Sequence, residues 1–414
     1  MENSEFDIKI IKAQTITFVD IHLSQLTIHE TYMHRCLELA KLGIGHVAPN
    51  PMVGAVLVHN GKIIGEGFHQ QYGGPHAEVN CINSVSAQDK DKISSSVLYV
   101  SLEPCSHFGK TPPCTDLIIT NKIPEVVIGC RDPFKEVDGK GIEKLKEAGI
   151  KVVYGILEKE CQQLNKRFFT FHTKHRPYVV LKWAETADGK IAPSNSPEGG
   201  EPFAQPLLNE ETSLKKEIST SEDGVWMVPT NDRDRKGARL LISNEQTNRL
   251  VHKWRSEEAS ILVGTNTALL DDPELTTRNW PGSSPIRAVV DMDLKLASSL
   301  KIFNGKQRTI IFNKIKHEEK DHLIFYQVTE DVNLVHQIVN ALYQMKIQSV
   351  IVEGGARLLQ SFIDEEMWDE VRVIKNEKLI INNGLSAPVF IDRNAVEEIK
   401  ILADTIKIYN HELG

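Results

Sequence analysis

Between residues 30 and 156, short runs rich in Val, Ile and Leu alternate with segments of helical periodicity. "ETYMHRCLELAKLG" carries its apolar residues at helical spacing and ends at a glycine, which marks a helix and its stop. "VGAVLV" and "GKIIGEGF" read as strands, "HAEVNCINSV" as a helix, "SSVLYVSL" as a strand and "CTDLIITN" as a short helix. "EVVIGC", "GIEKLKEAG" and "IKVVYGI" then read as strand, helix and strand. Strands that alternate with helices imply an α/β fold, with a largely parallel sheet covered on both faces. "EKECQQLNKRFFTFHTKH", read as one helix, leads to a boundary at "RPY".

A second alternating set begins at "YVVLKWAETADGKIA" and continues through "NEQTNRLVHKWRSEE", "SILVG", "IRAVVD" and "SVIVEGGARLLQSFI". A chain of 414 residues exceeds one ordinary core, so 28–175 and 176–414 are expected as two domains, with 1–27 as an N-terminal extension. Residues 193–238 are rich in Ser, Pro, Gly and Glu and read as a long surface loop, either mobile or a lid. Hydrophobic residues make up 41% of the chain and charged residues 25%, ample material for packed cores. The net charge of −8 argues against a nucleic-acid partner. No stretch reaches the ~18 apolar residues of a membrane helix. The N-terminus lacks the layout of a signal peptide, and a cytoplasmic protein is expected.

All six cysteines (Cys36, Cys81, Cys105, Cys114, Cys130 and Cys161) lie in the first 161 residues. In a large cytosolic chain this points to metal binding or buried thiols more than to disulfides. Two stand out in "PCSHFGKTPPC", where eight residues separate Cys105 from Cys114. Zinc ligands from one segment usually sit roughly two to four residues apart. His76 and Glu78 in "GPHAE" open one expected helix and Cys114 opens another, and helix N-termini stabilise thiolates. One His with two Cys suits zinc and leaves a fourth position for a water, whose pKa falls to about 7 on the metal. Glu78 lies two residues from His76 and off its helix face, poorly placed as a ligand and well placed as a proton carrier. His-x-Glu followed by Pro-Cys and a second Cys is the pattern of zinc deaminases acting on bases. The residues leave two alternatives open: a structural zinc site with Cys81 or Cys130 as fourth ligand, and buried thiols beside a surface histidine.

"APNPMVGAVLV", "GGPHAEVNC", "LEPCSHFGKTPPC" and "DPFKEVDGKGIEKLKEAGI" resemble the deaminase half of the bifunctional riboflavin biosynthesis deaminase–reductase family, and the resemblance runs from about Ile28 almost to the C-terminus. It implies a cytidine-deaminase-like N-terminal domain, with Zn2+ on His76, Cys105 and Cys114 and with Glu78 as the catalytic residue. The implied substrate is a diaminopyrimidinone bearing a ribosylamino group with a 5′-phosphate. Asn50, His69, His107 and Lys110 match the family's substrate contacts. On this reading the long gap between the cysteines carries His107 and Lys110 out to the polar tail, and Lys110 supplies a point charge for phosphate. Cys36, Cys81, Cys130 and Cys161 are expected as core thiols.

"LKWAETADGKIA", "HKWRSEEASILVGTNTALLDDPELTTR" and "VEGGARL" resemble the reductase half of the same family, which implies a dihydrofolate-reductase-like C-terminal domain that uses NADPH. Thr267, Asp271, Gly355, Ala356, Arg357 and Leu358 would then lie on the cofactor side. Arg255, Leu275, Arg278 and Glu353 would lie on the substrate side, the two arginines suiting a phosphate. The strand, glycine turn and helix of "SVIVEGGARLLQSFI" point backbone N–H groups at an anion, although the run is not G-x-G-x-x-G. Two features depart from the family: the length of the 193–238 loop, and Leu241 where a Trp near the nicotinamide is usual. The implied activity is zinc-dependent deamination followed by NADPH-dependent reduction of ribosylamino to ribitylamino. The implied partners are small phosphorylated pyrimidines, without nucleic acid or membrane, and a homo-oligomer through the reductase half is a family expectation. The competing functions are a nucleoside or nucleic-acid base deaminase with a non-catalytic appendage, and a zinc-stabilised binding protein without turnover.

Overall fold

The computed structural model describes residues 27–108, 112–135, 137–193, 219–220, 226–227, 240–391 and 394–411. Contacts divide the chain into two compact units. One ends at Tyr178 and counts Leu342–Gln348 within it, and the other comprises Val179–Ala341 and Ser349 onward. The extension expected over 1–27 and most of the 193–238 loop lie outside the described residues. Within that loop, Ser219–Thr220 pairs antiparallel with Trp226–Met227. No helix among the described residues is long and apolar enough to cross a membrane.

The first unit runs α1 (Ile28–Lys41), β1 (Gly54–His59), β2 (Lys62–Phe68), α2 (Ala77–Asn83), β3 (Val97–Leu102), α3 (Cys114–Thr120), β4 (Glu125–Cys130), α4 (Lys140–Glu147), β5 (Lys151–Tyr154), α5 (Glu158–Leu164) and α6 (Lys166–Thr173). A capping box starts α1: Thr27 Oγ1 accepts from the Glu30 N–H, and Glu30 returns a bond to the Thr27 N–H. The sheet order is β2-β1-β3-β4-β5. Only β3, β4 and β5 run parallel, whereas β1 is antiparallel to both of its neighbours. The expectation of a largely parallel sheet thus fails for half of it. For the β1–β2 pair the reason is local: Asn60 and Gly61, both at positive φ (48° and 76°), make a two-residue turn that can join only antiparallel strands.

Both faces of this sheet are buried. Ala55, Leu57, Leu98, Val100, Val126 and Ile128 pack with residues of α2, α3 and α4. Val56, Val58, Tyr99 and Val127 face Met33, Cys36 and Leu37 of α1 and Cys161 of α5. Cys36, Cys81, Cys130 and Cys161 are fully buried thiols in these two clusters. The single helix expected over 158–175 is broken at Asn165, whose amide bonds both the N–H and the C=O of Met52 at 2.8 Å. That buried side chain secures the segment that leads into β1.

The second unit contains β6 (Tyr178–Glu185), β7 (Lys190–Pro193), α7 (Glu245–Glu257), β8 (Ser260–Val263), α8 (Thr265–Asp271), β9 (Ile286–Val290), β10 (Thr309–Asn313), β11 (Glu318–Lys320), β12 (Leu323–Gln327), α9 (Leu334–Gln344), β13 (Ser349–Glu353), α10 (Ala356–Asp364), β14 (Glu370–Asn376), β15 (Glu397–Ile401) and β16 (Asp404–Asn410). Its ten-stranded sheet has the order β11-β12-β10-β9-β8-β13-β6-β14-β16-β15. Strands β12, β10, β9, β8 and β13 are parallel neighbours, and β14 through β15 form an antiparallel edge. Parallel strands buried on both faces need near-continuous apolar sequence, which "SILV" and "SVIV" provide. In such sheets the crevice at the carboxyl ends of the strands receives ligands.

Candidate active sites

In the first unit, three elements bring their ends together. His76 is the N-cap residue of α2, Cys105 lies three residues beyond β3, and Cys114 opens α3. Gly67 of β2 permits the close approach of α2, because a Cβ there would lie 2.2 Å from the Cys81 nitrogen. His76 Nδ1 is 3.5 Å from Cys105 Sγ and 3.4 Å from Cys114 Sγ. Among the described residues, these three are the one His/Cys/Asp/Glu group arranged to hold a metal, with all ligand atoms within 4.8 Å of one another. Tetrahedral zinc with bonds of ~2.3 Å to sulfur and ~2.0 Å to nitrogen separates S and N by ~3.5 Å, so the spacing fits. The expected eight-residue gap between the cysteines is bridged locally: the Cys114 N–H donates to Cys105 Sγ at 3.3 Å, and the Thr115 N–H and Oγ1 donate to the Cys105 carbonyl.

The electrostatics favour one thiolate, on Cys105. The bond shared with Cys114 brings the Cys105 thiol down to about 4 against the opposing effect of burial, with His76 contributing. The same pairing, together with burial, pushes Cys114 up. Through its bond with Cys105, His76 is raised to about 8. Glu78, in the first turn of α2, is only 3% exposed. Burial, and next the negative charge of Cys105, raise its carboxyl above the ordinary range.

Asn50 and His69 stand beside this group. The Asn50 amide is 3.1 Å from His69 Nε2, and His69 Nδ1 is 2.9 Å from the Pro75 carbonyl. Because a carbonyl can only accept, Nδ1 carries the proton and Nε2 accepts from Asn50. Burial lowers the His69 pKa and keeps this neutral tautomer. The His69 ring lies edge-on to His76 at 5.5 Å. His107 is exposed, with its ring 6.0 Å from Phe134. Lys110 lies outside the described residues. Two buried carboxylates nearby escape a sequence reading: Glu103, and Asp132, which burial raises to about 7. A "DP" turn and an "EPC" run do not reveal that the fold buries both.

In the second unit, Glu353 ends β13 and meets a bidentate Arg255 from α7, at 2.7 and 2.8 Å. Lys182 of β6 adds a second cation at 3.4 Å. Burial alone would raise Glu353, but Arg255 and Lys182 outweigh it and hold the carboxyl at about 2. Leu275 is buried at φ 54°, and the following Thr276 carbonyl accepts from Arg255. Arg278 is exposed, and its charge reaches His252, which burial, Arg255 and Arg278 together lower to about 4. Lys182 and His252 belong to this charged cluster, and sequence alone does not single them out.

Beyond Glu353 the chain turns through Gly354 and Gly355, at φ 95° and 79°, into α10. A Cβ on Gly354 would lie 3.1 Å from Thr267 Cγ2, and one on Gly355 would lie 3.8 Å from the Gly264 Cα. Both positions favour glycine through their positive φ, and at Gly354 a Cβ would also crowd Thr267, so the turn lies as bare backbone against the start of α8. Thr267 and Asp271, four apart, share one face of α8. Arg357 and Leu241 are exposed, and Leu358 is buried at the foot of α10. The structure brings Thr267, Gly355 and Leu358 together, and separately Arg255 and Glu353.

A cytidine-deaminase-like unit with a His–Cys–Cys site and a dihydrofolate-reductase-like unit define a bifunctional enzyme, a hydrolase and an oxidoreductase in one chain. Residues 26–130 match the model of the cytidine and deoxycytidylate deaminase zinc-binding region, and residues 177–380 match that of the RibD C-terminal domain. Riboflavin biosynthesis protein RibD of Aquifex aeolicus is 35% identical over 392 residues, covering 93% of this chain and 97% of its own. The counterpart from Bacillus amyloliquefaciens is 34% identical over 381 residues, covering 90% of each. A Thermotoga maritima structure, described as a diaminohydroxyphosphoribosylaminopyrimidine deaminase/5-amino-6-(5-phosphoribosylamino)uracil reductase, superposes with a TM-score of 0.73 at 35% identity, covering 92% of this chain and 98% of that one. The chain belongs to the RibD family of bifunctional riboflavin biosynthesis deaminase–reductases.

Proposed function

We propose that the first unit deaminates 2,5-diamino-6-ribosylamino-4(3H)-pyrimidinone 5′-phosphate and that the second unit reduces the ribosyl side chain of the product to ribityl with NADPH. The His76–Cys105–Cys114 triangle beside buried Glu78 carries this reading. Those three residues would hold Zn2+, which as a Lewis acid makes a water acidic near neutral pH. Glu78 takes a proton from the attacking water and passes it to the pyrimidine, so that the amino group leaves as ammonia and a carbonyl remains. Its raised pKa suits a group that must both accept and donate. His69, its own ring nitrogens both engaged, holds the Asn50 amide in place, and Asn50 keeps its carbonyl oxygen for the base. His107 and Lys110 serve the ribose phosphate.

In the second unit the cradle of Gly355, Ala356, Arg357 and Leu358, with Thr267 and Asp271, would hold NADPH by its phosphates at the start of α10. The cofactor supplies the hydride. Arg255 and Lys182 keep Glu353 ionised, so its carboxylate accepts bonds from sugar hydroxyls. Arg255 is committed to Glu353, whereas Arg278 is exposed and meets the substrate phosphate, with Leu275 beside it. Purified protein should contain one zinc per chain, release ammonia from the diaminopyrimidinone phosphate and then oxidise NADPH. A metal-free, inactive protein under these conditions defeats the reading.

Two outcomes follow from the residue roles. Cys105→Ser and Cys114→Ser should each lose zinc, since a hydroxyl is a poor ligand beside thiolates, while Cys36→Ser keeps it. Zinc analysis of the three proteins decides, and stoichiometric metal in both ligand variants would point to another ligand set. Arg278→Ala should raise the reductase KM by about ten-fold, the size of one charge-assisted phosphate contact. Ammonia release should stay unchanged, and an unaltered reductase KM rules out that contact.

A further inference from the structure

Glu103 lies just past β3, two residues before Cys105, and is 3% exposed. Its oxygens accept four peptide N–H groups: Oε1 from Gly141 at 2.9 Å and Ile142 at 3.2 Å, and Oε2 from Gly139 at 3.0 Å and Asp132 at 3.3 Å. Gly139 is the N-cap of α4, and Gly141 and Ile142 sit in its first turn, where N–H groups have no partner within the helix. A carboxylate is favoured at this positive end. The approach is close, because a Cβ at Gly141 would fall 2.1 Å from the Pro104 carbonyl. One side chain therefore fastens the β4–α4 connection to the segment that carries Cys105.

That connection presents Phe134. Its N–H donates to Asp132 Oδ1 at 2.8 Å, so the turn that holds the ring begins at a residue gripped by Glu103. The ring stands edge-on to His107 at 6.0 Å and to His172 at 5.0 Å. His107 belongs to the stretch between the two cysteines. We infer that Glu103 is a positioning residue for deamination: through the β4–α4 connection it sets the Phe134–His107 wall against which the ribose-phosphate arm of the substrate is held. The inference rests on the substrate proposed above.

Glu103→Gln tests it, because an amide offers one acceptor oxygen and turns N–H groups toward peptide donors, which opens half of the clamp. Phe134→Ala removes the wall and leaves the clamp. Zinc content, near-UV circular dichroism and deamination kinetics are measured for each single variant and for the double variant. The substrates are the ribosyl phosphate and the triaminopyrimidinone that lacks it. Both single variants should fold, keep stoichiometric zinc and raise KM for the phosphorylated substrate on the order of ten-fold, with kcat changed less. Turnover of the bare base should stay at the wild-type level. The double variant should be no worse than Phe134→Ala, because Glu103 acts through that ring. Loss of zinc, a fall in kcat alone, additive effects or an unchanged KM overturns the assignment. Should Glu103→Gln not fold, Phe134→Ala decides by its KM alone. Wild-type protein that releases no ammonia would overturn the proposed function and this inference with it, and is told apart because the unmodified enzyme fails too.

Discussion

Glu78→Gln should leave fold and zinc intact and slow ammonia release by roughly 10²- to 10⁴-fold, the usual contribution of a positioned acid–base group. The amide keeps the shape of the side chain, so the packing of α2 over Gly67 and the His76 geometry stay as they are. What is lost is a site that can take and return a proton. Burial and the charge of Cys105 raise the Glu78 pKa, which suits the proposed exchange of a proton better than a fixed anion would. NADPH oxidation with already deaminated substrate should be unchanged, since that chemistry belongs to the second unit. Ammonia release near the wild-type rate would remove Glu78 from the mechanism.

Glu353→Gln should abolish most reductase activity and destabilise the second unit by roughly 3 kcal/mol, the low end for a buried charge left without its partner. Two cations, Arg255 and Lys182, would then face a neutral amide in a largely buried place. All five tryptophans lie beyond residue 178, so urea unfolding followed by tryptophan fluorescence reports on this unit alone. The pH dependence has a definite sign. Glu353 is depressed from 4.5 to about 2, so its contribution is complete above about pH 4.5 and is lost as pH falls toward 2. At ~1.36 kcal/mol per unit that amounts to roughly 3 kcal/mol. Wild-type protein should lose stability through this window more steeply than the Gln variant. Parallel stability curves for the two proteins would show that the Glu353 cluster is not a stability centre, and unchanged turnover of the deaminated substrate would show that it is not part of the reductase site.

The apolar periodicity of "EVVIGC" and "SVIV" located β4 and the core of β13 from sequence, because buried strands must be continuously apolar whatever surrounds them. The order His76, Glu78, Cys105, Cys114 likewise announced its chemistry, since few residue types suit zinc and their spacing at helix starts has a physical reason. The antiparallel β1–β2 pair and the helix break at Asn165 were not legible in this way. The first hangs on the φ angles of a two-residue turn, and the second on a bond to Met52, more than a hundred residues away in sequence. Partners were least legible of all. Arg255, which sequence offers equally to a phosphate or to solvent, is bound to Glu353, and Lys182 joins them from a strand 171 positions earlier. Glu103 looks like part of a cysteine motif and is instead the clamp for α4. Side-chain identity and spacing are local properties, and by themselves they determined the domain order and singled out His76, Cys105 and Cys114 as a group with Glu78 close by. Burial and charge pairing depend on which distant segments meet, so only the tertiary structure decided which charges are neutralised, which carboxyls are raised, and where the glycine turn lies.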